Sequence, residues 1–245
     1  MANREYHKWH SKHLGRDMEL LRFGHDGAIT FVFPTSNGRF FDWENRGMLN
    51  TLGQHLDNGW LQIVCVDSVD GESWWNGGVS PHDKAVRHLQ YQQYIVDEVL
   101  PWMKESNKTP YTIGMGASWG AYHAVAIAAR YPHLFNRAIG MSGLYTVNDF
   151  IGGDYDEAIH NGSPVEFIRL AHDEKQLEAM RNVDWIIAIG KDDRDCYPSN
   201  AALSGVLWEK GIWHAFREWD GFAHDWPVWH DMVLRYVGGA DSQQY

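Results

Sequence analysis

The stretch YTIGMGASWGAYHAVAIAARYP, Tyr111 to Pro132, is the most informative in the sequence. It begins as an apolar strand and ends as an alanine-rich helix, with Ser118 at the joint between Gly116 and Gly120. Glycine weakens a strand interior unless the backbone bends sharply or something must approach it closely. Here the glycines frame a G-x-S-x-G pattern between strand and helix, the context of a nucleophile elbow. In such a turn the serine takes a strained backbone conformation, and its neighbours two positions away must be small. Its Oγ is lifted to a helix N-terminus, where backbone N–H groups favour negative charge. Ala121, Ala124 and Ala128 would let the helix lie close to the sheet.

Working outward, apolar strand-like runs alternate with helical periodicity. Strands are expected in EYHKWHS, GRDMELLRFG, AITFVFP (Ala28 to Pro34), WLQIVCVD (Trp60 to Asp67), YTIGMG, RAIGMSG, DWIIAIG and WHAFREW. Helices are expected over about 46–57, about 83–104 with a kink at Pro101, 119–131, 199–210 and 226–237. A further helix should start at Ser163 as cap with Pro164 in its first turn, and another should end near Asn182. Residues 144–162 read as irregular, and the polar tail GGADSQQY as frayed. Alternating strands and helices imply a mostly parallel α/β sheet, with an antiparallel start where the turns are short. The whole chain, 1–245, reads as a single domain. Ligands of such sheets sit beyond the carboxyl ends of the strands.

Composition excludes several functions. The net charge is −11, from 21 basic and 32 acidic side chains. That argues against nucleic acid and anionic membrane surfaces, both of which reward clustered Lys and Arg. The two cysteines, Cys65 and Cys196, make no disulfide framework. The opening MANREYHKWHSKHLGRD is too polar for a signal peptide, and no apolar run is long enough for a membrane span. A reduced, cytoplasmic protein acting on a small-molecule ester is the expectation, and assembly into a homo-oligomer is compatible with the sequence.

A serine needs a base, and the base needs an orienting group. In this fold class they follow in the order Ser, acid, His. After WIIAIG comes KDDRDCYP, with Asp192, Asp193 and Asp195; after WHAFREW comes DGFAHDWPVW, with His224. All lie at carboxyl ends of expected strands, on the edge that carries Ser118. Asp193, fourth in a turn that begins at Gly190, is the preferred acid, with its two neighbours as alternatives. The oxyanion hole should use the N–H of Trp119 and a donor from the loop FPTSNGRFFDW, where Thr35, Ser36 and Asn37 are candidates and Ser36 is chosen. Trp74 and Trp75 could wall a substrate pocket, or equally plug the underside of a long loop. His123, one turn into the helix after Ser118, reads as a packed or capping residue with pocket lining as the alternative. His7, His10 and His13 fall on a strand and turn, and no H-x-H, H-E-x-x-H or C-x-x-C occurs, so neither metal nor other cofactor is expected. Ser142, in GMSG, has no helix directly after it and is not read as a nucleophile.

The chain resembles the esterase branch of the α/β-hydrolases, the group that includes esterase D and the antigen 85 acyltransferases. The resemblance rests on SKHLGRDMELL, FPTSNGRFFDWENRG, GASWGAYHAVAIAARYPHLFNRAIGMSG and GFAHDWPVW. It implies an α/β-hydrolase fold of eight strands with helices on both faces and no large lid domain. It also implies Ser118 as nucleophile, His224 of the H-x-W-x-x-W run as base, Asp193 as acid, and Trp119 with Ser36 as oxyanion donors. The expected activity is hydrolysis of carboxylic esters. Acyl transfer at the same residues, or a ligand-binding member of the fold without catalysis, are the alternatives.

Overall fold

The computed structural model describes residues 3–238, so residues 239–245 of the polar tail lie outside it. The strands are β1 (Arg4–Ser11), β2 (Arg16–Phe23), β3 (Ala28–Phe33), β4 (Leu61–Val66), β5 (Thr112–Ala117), β6 (Arg137–Met141), β7 (Asp184–Gly190) and β8 (His214–Trp219). They take the sheet order β1-β2-β4-β3-β5-β6-β7-β8. The pairs β1–β2 and β2–β4 are antiparallel, whereas β3–β4, β5–β6, β6–β7 and β7–β8 are parallel. This is the eight-stranded α/β-hydrolase architecture expected from the sequence, and no large lid stands among the described residues.

The chain divides into two compact units, which the sequence reading of one domain did not draw: residues up to 112 with 147–162, and 113–146 with 163 onward. In the first, β4 is buried along its whole length, as a strand covered on both faces must be. A short helix, α1 (Asp42–Asn45), precedes two, α2 (Met48–Thr51) and α3 (Gly53–Asp57), that stand where one was expected. Gly47, in the left-handed region at φ 75°, separates α1 from α2. The long helix is also divided, into α4 (Pro81–Tyr94) and α5 (Leu100–Ser106). The break is a π-helical stretch, Ile95–Val99, and Pro101 lies beyond it in the first turn of α5. The expected kink is thus absorbed by a π-bulge, a common cause of helix irregularity. The stretch read as irregular holds α7 (Asn148–Ile151) and α8 (Glu157–Gly162).

In the second unit, every residue of β5, β6 and β7 is buried. The helix after β5, α6 (Trp119–Arg130), is buried at every position but Arg130. Its alanines and Gly114 permit this: a Cβ on Gly114 would stand 3.4 Å from the Ala124 carbonyl oxygen, so helix and strand lie nearly in backbone contact. The remaining helices are α9 (Pro164–Leu170), α10 (Glu174–Arg181), α11 (Tyr197–Glu209) and α12 (Trp226–Val237). Ser163 occupies the N-cap of α9, with Pro164 in the first turn, but its hydroxyl makes no capping hydrogen bond. Among the described residues, no helix is long and apolar enough to cross a membrane.

Candidate active site

The turn after β5 is sharp. Ser118 has φ 53° and ψ −124°, a conformation seldom adopted by a residue with a side chain. Its N–H is held by the Met141 carbonyl at 2.8 Å, which continues the β5–β6 ladder through the bend. Gly116 and Gly120 make the bend sterically feasible. A Cβ on Gly116 would lie 2.2 Å from the carbonyl of Gly120. Trp119 opens α6, so its N–H lies in the first turn of that helix.

The loops after β7 and β8 are knitted through their backbones. Lys191 N–H donates to Trp219 O at 2.9 Å and Asp192 N–H to Gly221 O at 3.0 Å. Gly190 lets the second loop in: a Cβ there would sit 2.0 Å from Phe222 O. A turn closed by Asp193 N–H on Gly190 O, at 3.2 Å, points the carboxylate of Asp193 inward, where it is 1% exposed. Asp192 and Asp195 remain in solvent. His224 follows Gly221 (φ 78°) and Ala223 (φ 45°), two successive left-handed bends in the short link to α12. Asp225 caps that helix, its carboxylate accepting from Trp226 N–H at 2.7 Å.

These loops bring the three sequence-selected residues into one line. His224 Nδ1 lies 2.7 Å from Asp193 Oδ2, and His224 Nε2 lies 3.1 Å from Ser118 Oγ. An ionised carboxylate only accepts, so Nδ1 carries the proton and Nε2 presents a lone pair to the serine hydroxyl. The other oxygen of Asp193 accepts from Cys196 N–H at 3.2 Å. Burial, reinforced by Asp193 and Asp195, pushes the Cys196 thiol up to about 12, so it stays protonated. The ligand atoms of Asp193, Cys196 and His224 all lie within 4.8 Å of one another. In this arrangement, however, Asp193 and His224 hold each other and the thiol keeps its proton.

Aromatic rings enclose the imidazole. Phe222 stacks on His224 with centroids 5.6 Å apart and planes at 20°, and Trp229 leans against it at 5.4 Å. Trp226 meets Trp229 edge-on at 5.0 Å. Neither Cys196 nor Phe222 was selected from sequence. The spacing Asp193-x-x-Cys196 was the available signal for the first; an aromatic two positions before the histidine was the signal for the second.

The other candidates fall as follows. Trp119 is buried and stacks on Tyr122 at 4.3 Å, and His123 is buried edge-on to both. His123 therefore takes the packed role. In the first unit, Trp74 is 1% exposed and packs on His88 and Phe150, the plug arrangement, while Trp75 is half-exposed against Phe150. One open cleft of that unit, about 540 Å³, is lined by charged residues such as Arg16, Arg39 and Glu72, and by neither tryptophan. In the loop after β3, the N–H and hydroxyl of Thr35 are engaged by Asp42, and the N–H of Asn37 by Asp70 at 2.9 Å. Ser36 stands exposed between them.

Comparison with known proteins agrees with this architecture. Residues 61–232 match the family model described as "Putative esterase". Among solved structures, a ferulic acid esterase superposes with a TM-score of 0.76 at 20% identity, over 96% of both chains. An S-formylglutathione hydrolase from Agrobacterium tumefaciens gives 0.72 at 14% identity, over 95% of this chain and 93% of that one. MPT51 from Mycobacterium tuberculosis gives 0.69 at 17% identity, over 97% of both. No curated protein sequence matches the chain.

Proposed function

Since the chain belongs to the esterase family, we propose that this carboxylic ester hydrolase acts through an acyl-serine formed on Ser118, with His224 as general base and acid and Asp193 as its orienting partner. The observation that carries the proposal is the single imidazole bridging Asp193 at 2.7 Å and Ser118 at 3.1 Å.

As Ser118 Oγ attacks the ester carbonyl, its proton passes to His224 Nε2. Asp193 keeps Nδ1–H in place and stabilises the imidazolium without taking the proton. The tetrahedral oxyanion accepts from the N–H of Trp119, in the first turn of α6. Imidazolium Nε2–H protonates the departing alkoxide, leaving acyl-serine and alcohol. Water then gives its proton to Nε2 and attacks the acyl carbon, and the same nitrogen returns the proton to Ser118 Oγ as the acid leaves. No cofactor enters any step.

The test is hydrolysis of short p-nitrophenyl esters and of ferulic acid esters, the latter suggested by a solved structure of this fold. Wild type should turn over at least one and be labelled by a fluorophosphonate. Ser118→Ala should do neither. Equal rates in the two proteins would remove Ser118 from the mechanism.

A further inference from the structure

Ser142 lies at the carboxyl end of β6, fully buried and in the left-handed region at φ 52°. Its hydroxyl is engaged twice. It donates to the carbonyl oxygen of Ala223 at 2.7 Å and accepts from Trp229 Nε1–H at 3.1 Å. Its own N–H is fixed by Ala188 O of β7 at 2.7 Å. The peptide it grips, Ala223–His224, carries the imidazole, and Ala223 is itself held at φ 45°. The indole on the other side of the hydroxyl belongs to the ring that leans on His224.

We infer that Ser142 is a positioning residue for the proposed base: its hydroxyl ties the backbone before His224 and the indole beside it to the end of β6, and so fixes the imidazole against Ser118. The inference rests on the reading of His224 as general base. Burial of a hydroxyl is unfavourable unless its hydrogen bonds are made. Here both partners flank one side chain. A non-glycine residue held at positive φ is strained, and two such residues, Ser142 and Ala223, are joined directly by this hydrogen bond. The pin therefore opposes relaxation of the loop toward ordinary backbone angles. The Ser142 hydroxyl is fully buried, so its effect belongs to the chemical step.

Ser142→Ala removes both hydrogen bonds, and Trp229→Phe removes one while keeping an aromatic ring. Because a displacement of about 1 Å can lower a rate on the order of 10²-fold, Ser142→Ala should lower kcat at least ~10-fold, with KM within about twofold of wild type. Fluorophosphonate labelling of Ser118 should slow in parallel. Trp229→Phe should lower kcat less, and the double variant should be no worse than Ser142→Ala alone, since both act through one hydroxyl. Thermal unfolding measured on each variant keeps folding separate from rate. Wild-type kcat in folded Ser142→Ala, a fall in rate that appears only as KM, or strictly multiplicative losses in the double variant would each overturn the inference. Should Ser142→Ala not fold, Trp229→Phe decides alone by its kcat and labelling rate. Ser118→Ala run alongside separates the two levels: if it is inactive while Ser142→Ala is unaffected, only the positioning role fails; if it is active, the proposed mechanism fails first.

Discussion

His224 is oriented by a carboxylate that is itself saturated: Asp193 receives the imidazole on one oxygen and Cys196 N–H on the other. Asp193→Asn keeps the shape of this contact but favours the wrong tautomer, so kcat on a p-nitrophenyl ester should fall on the order of 10⁴-fold. Asp192→Asn and Asp195→Asn, on exposed side chains of the same loop, should leave the rate within about twofold. The three residues were legible because each is a reactive type placed just past a strand, and sheet topology brings such ends to one edge. The choice among three aspartates was less constrained, and rested on the turn from Gly190 that Asp193 N–H does close. The grip of Ser142 on Ala223 was not legible. It is a side-chain contact where two loops cross, and residue spacing does not encode which loop lies over which.

Elements show where periodicity suffices and where it does not. β4, β5 and β7 announce themselves as continuous apolar runs, and α12 was anticipated at its observed bounds, Trp226–Val237. The helix expected over about 46–57 is instead two, α2 and α3, and starts only after the left-handed Gly47, which apolar spacing cannot report. Glycines in close backbone contact give the sharpest test. Gly190→Ala would place a methyl 2.0 Å from Phe222 O, and Gly116→Ala one 2.2 Å from the Gly120 carbonyl. Each obstruction is backbone and cannot rotate away. Urea unfolding should show a loss of at least ~1–3 kcal/mol for each, together with loss of esterase activity. Gly205, in α11, has open space where a Cβ would go. Gly205→Ala should therefore stabilise by roughly 0.5–1 kcal/mol without affecting turnover.

Across the molecule, buried titratable groups set the response to acid. His214 is buried in β8, its Nδ1–H donating to Ile212 O at 3.1 Å and its Nε2 accepting from the Ser204 hydroxyl at 2.7 Å. Burial holds its pKa below the ordinary value, with the Ile212 bond opposing weakly. His55 is shifted the same way by burial. As pH falls below about 6.5, the unfolded chain takes up protons before the folded one does. The contribution of these histidines is thus complete above that pH and is lost as pH drops through their depressed folded values. The urea midpoint should decline on going from about pH 7 to about pH 5, and less steeply in His214→Gln. A different whole-molecule consequence follows from sulfur. The two cysteines fall one to each compact unit, Cys65 inside β4 and Cys196 beside Asp193, and burial raises both thiols well above their ordinary value. At neutral pH the native chain should thus ignore Ellman's reagent. Whichever sulfhydryl is first captured as denaturant rises will name the half of the protein that opens first, a two-channel reporter already written into the natural sequence.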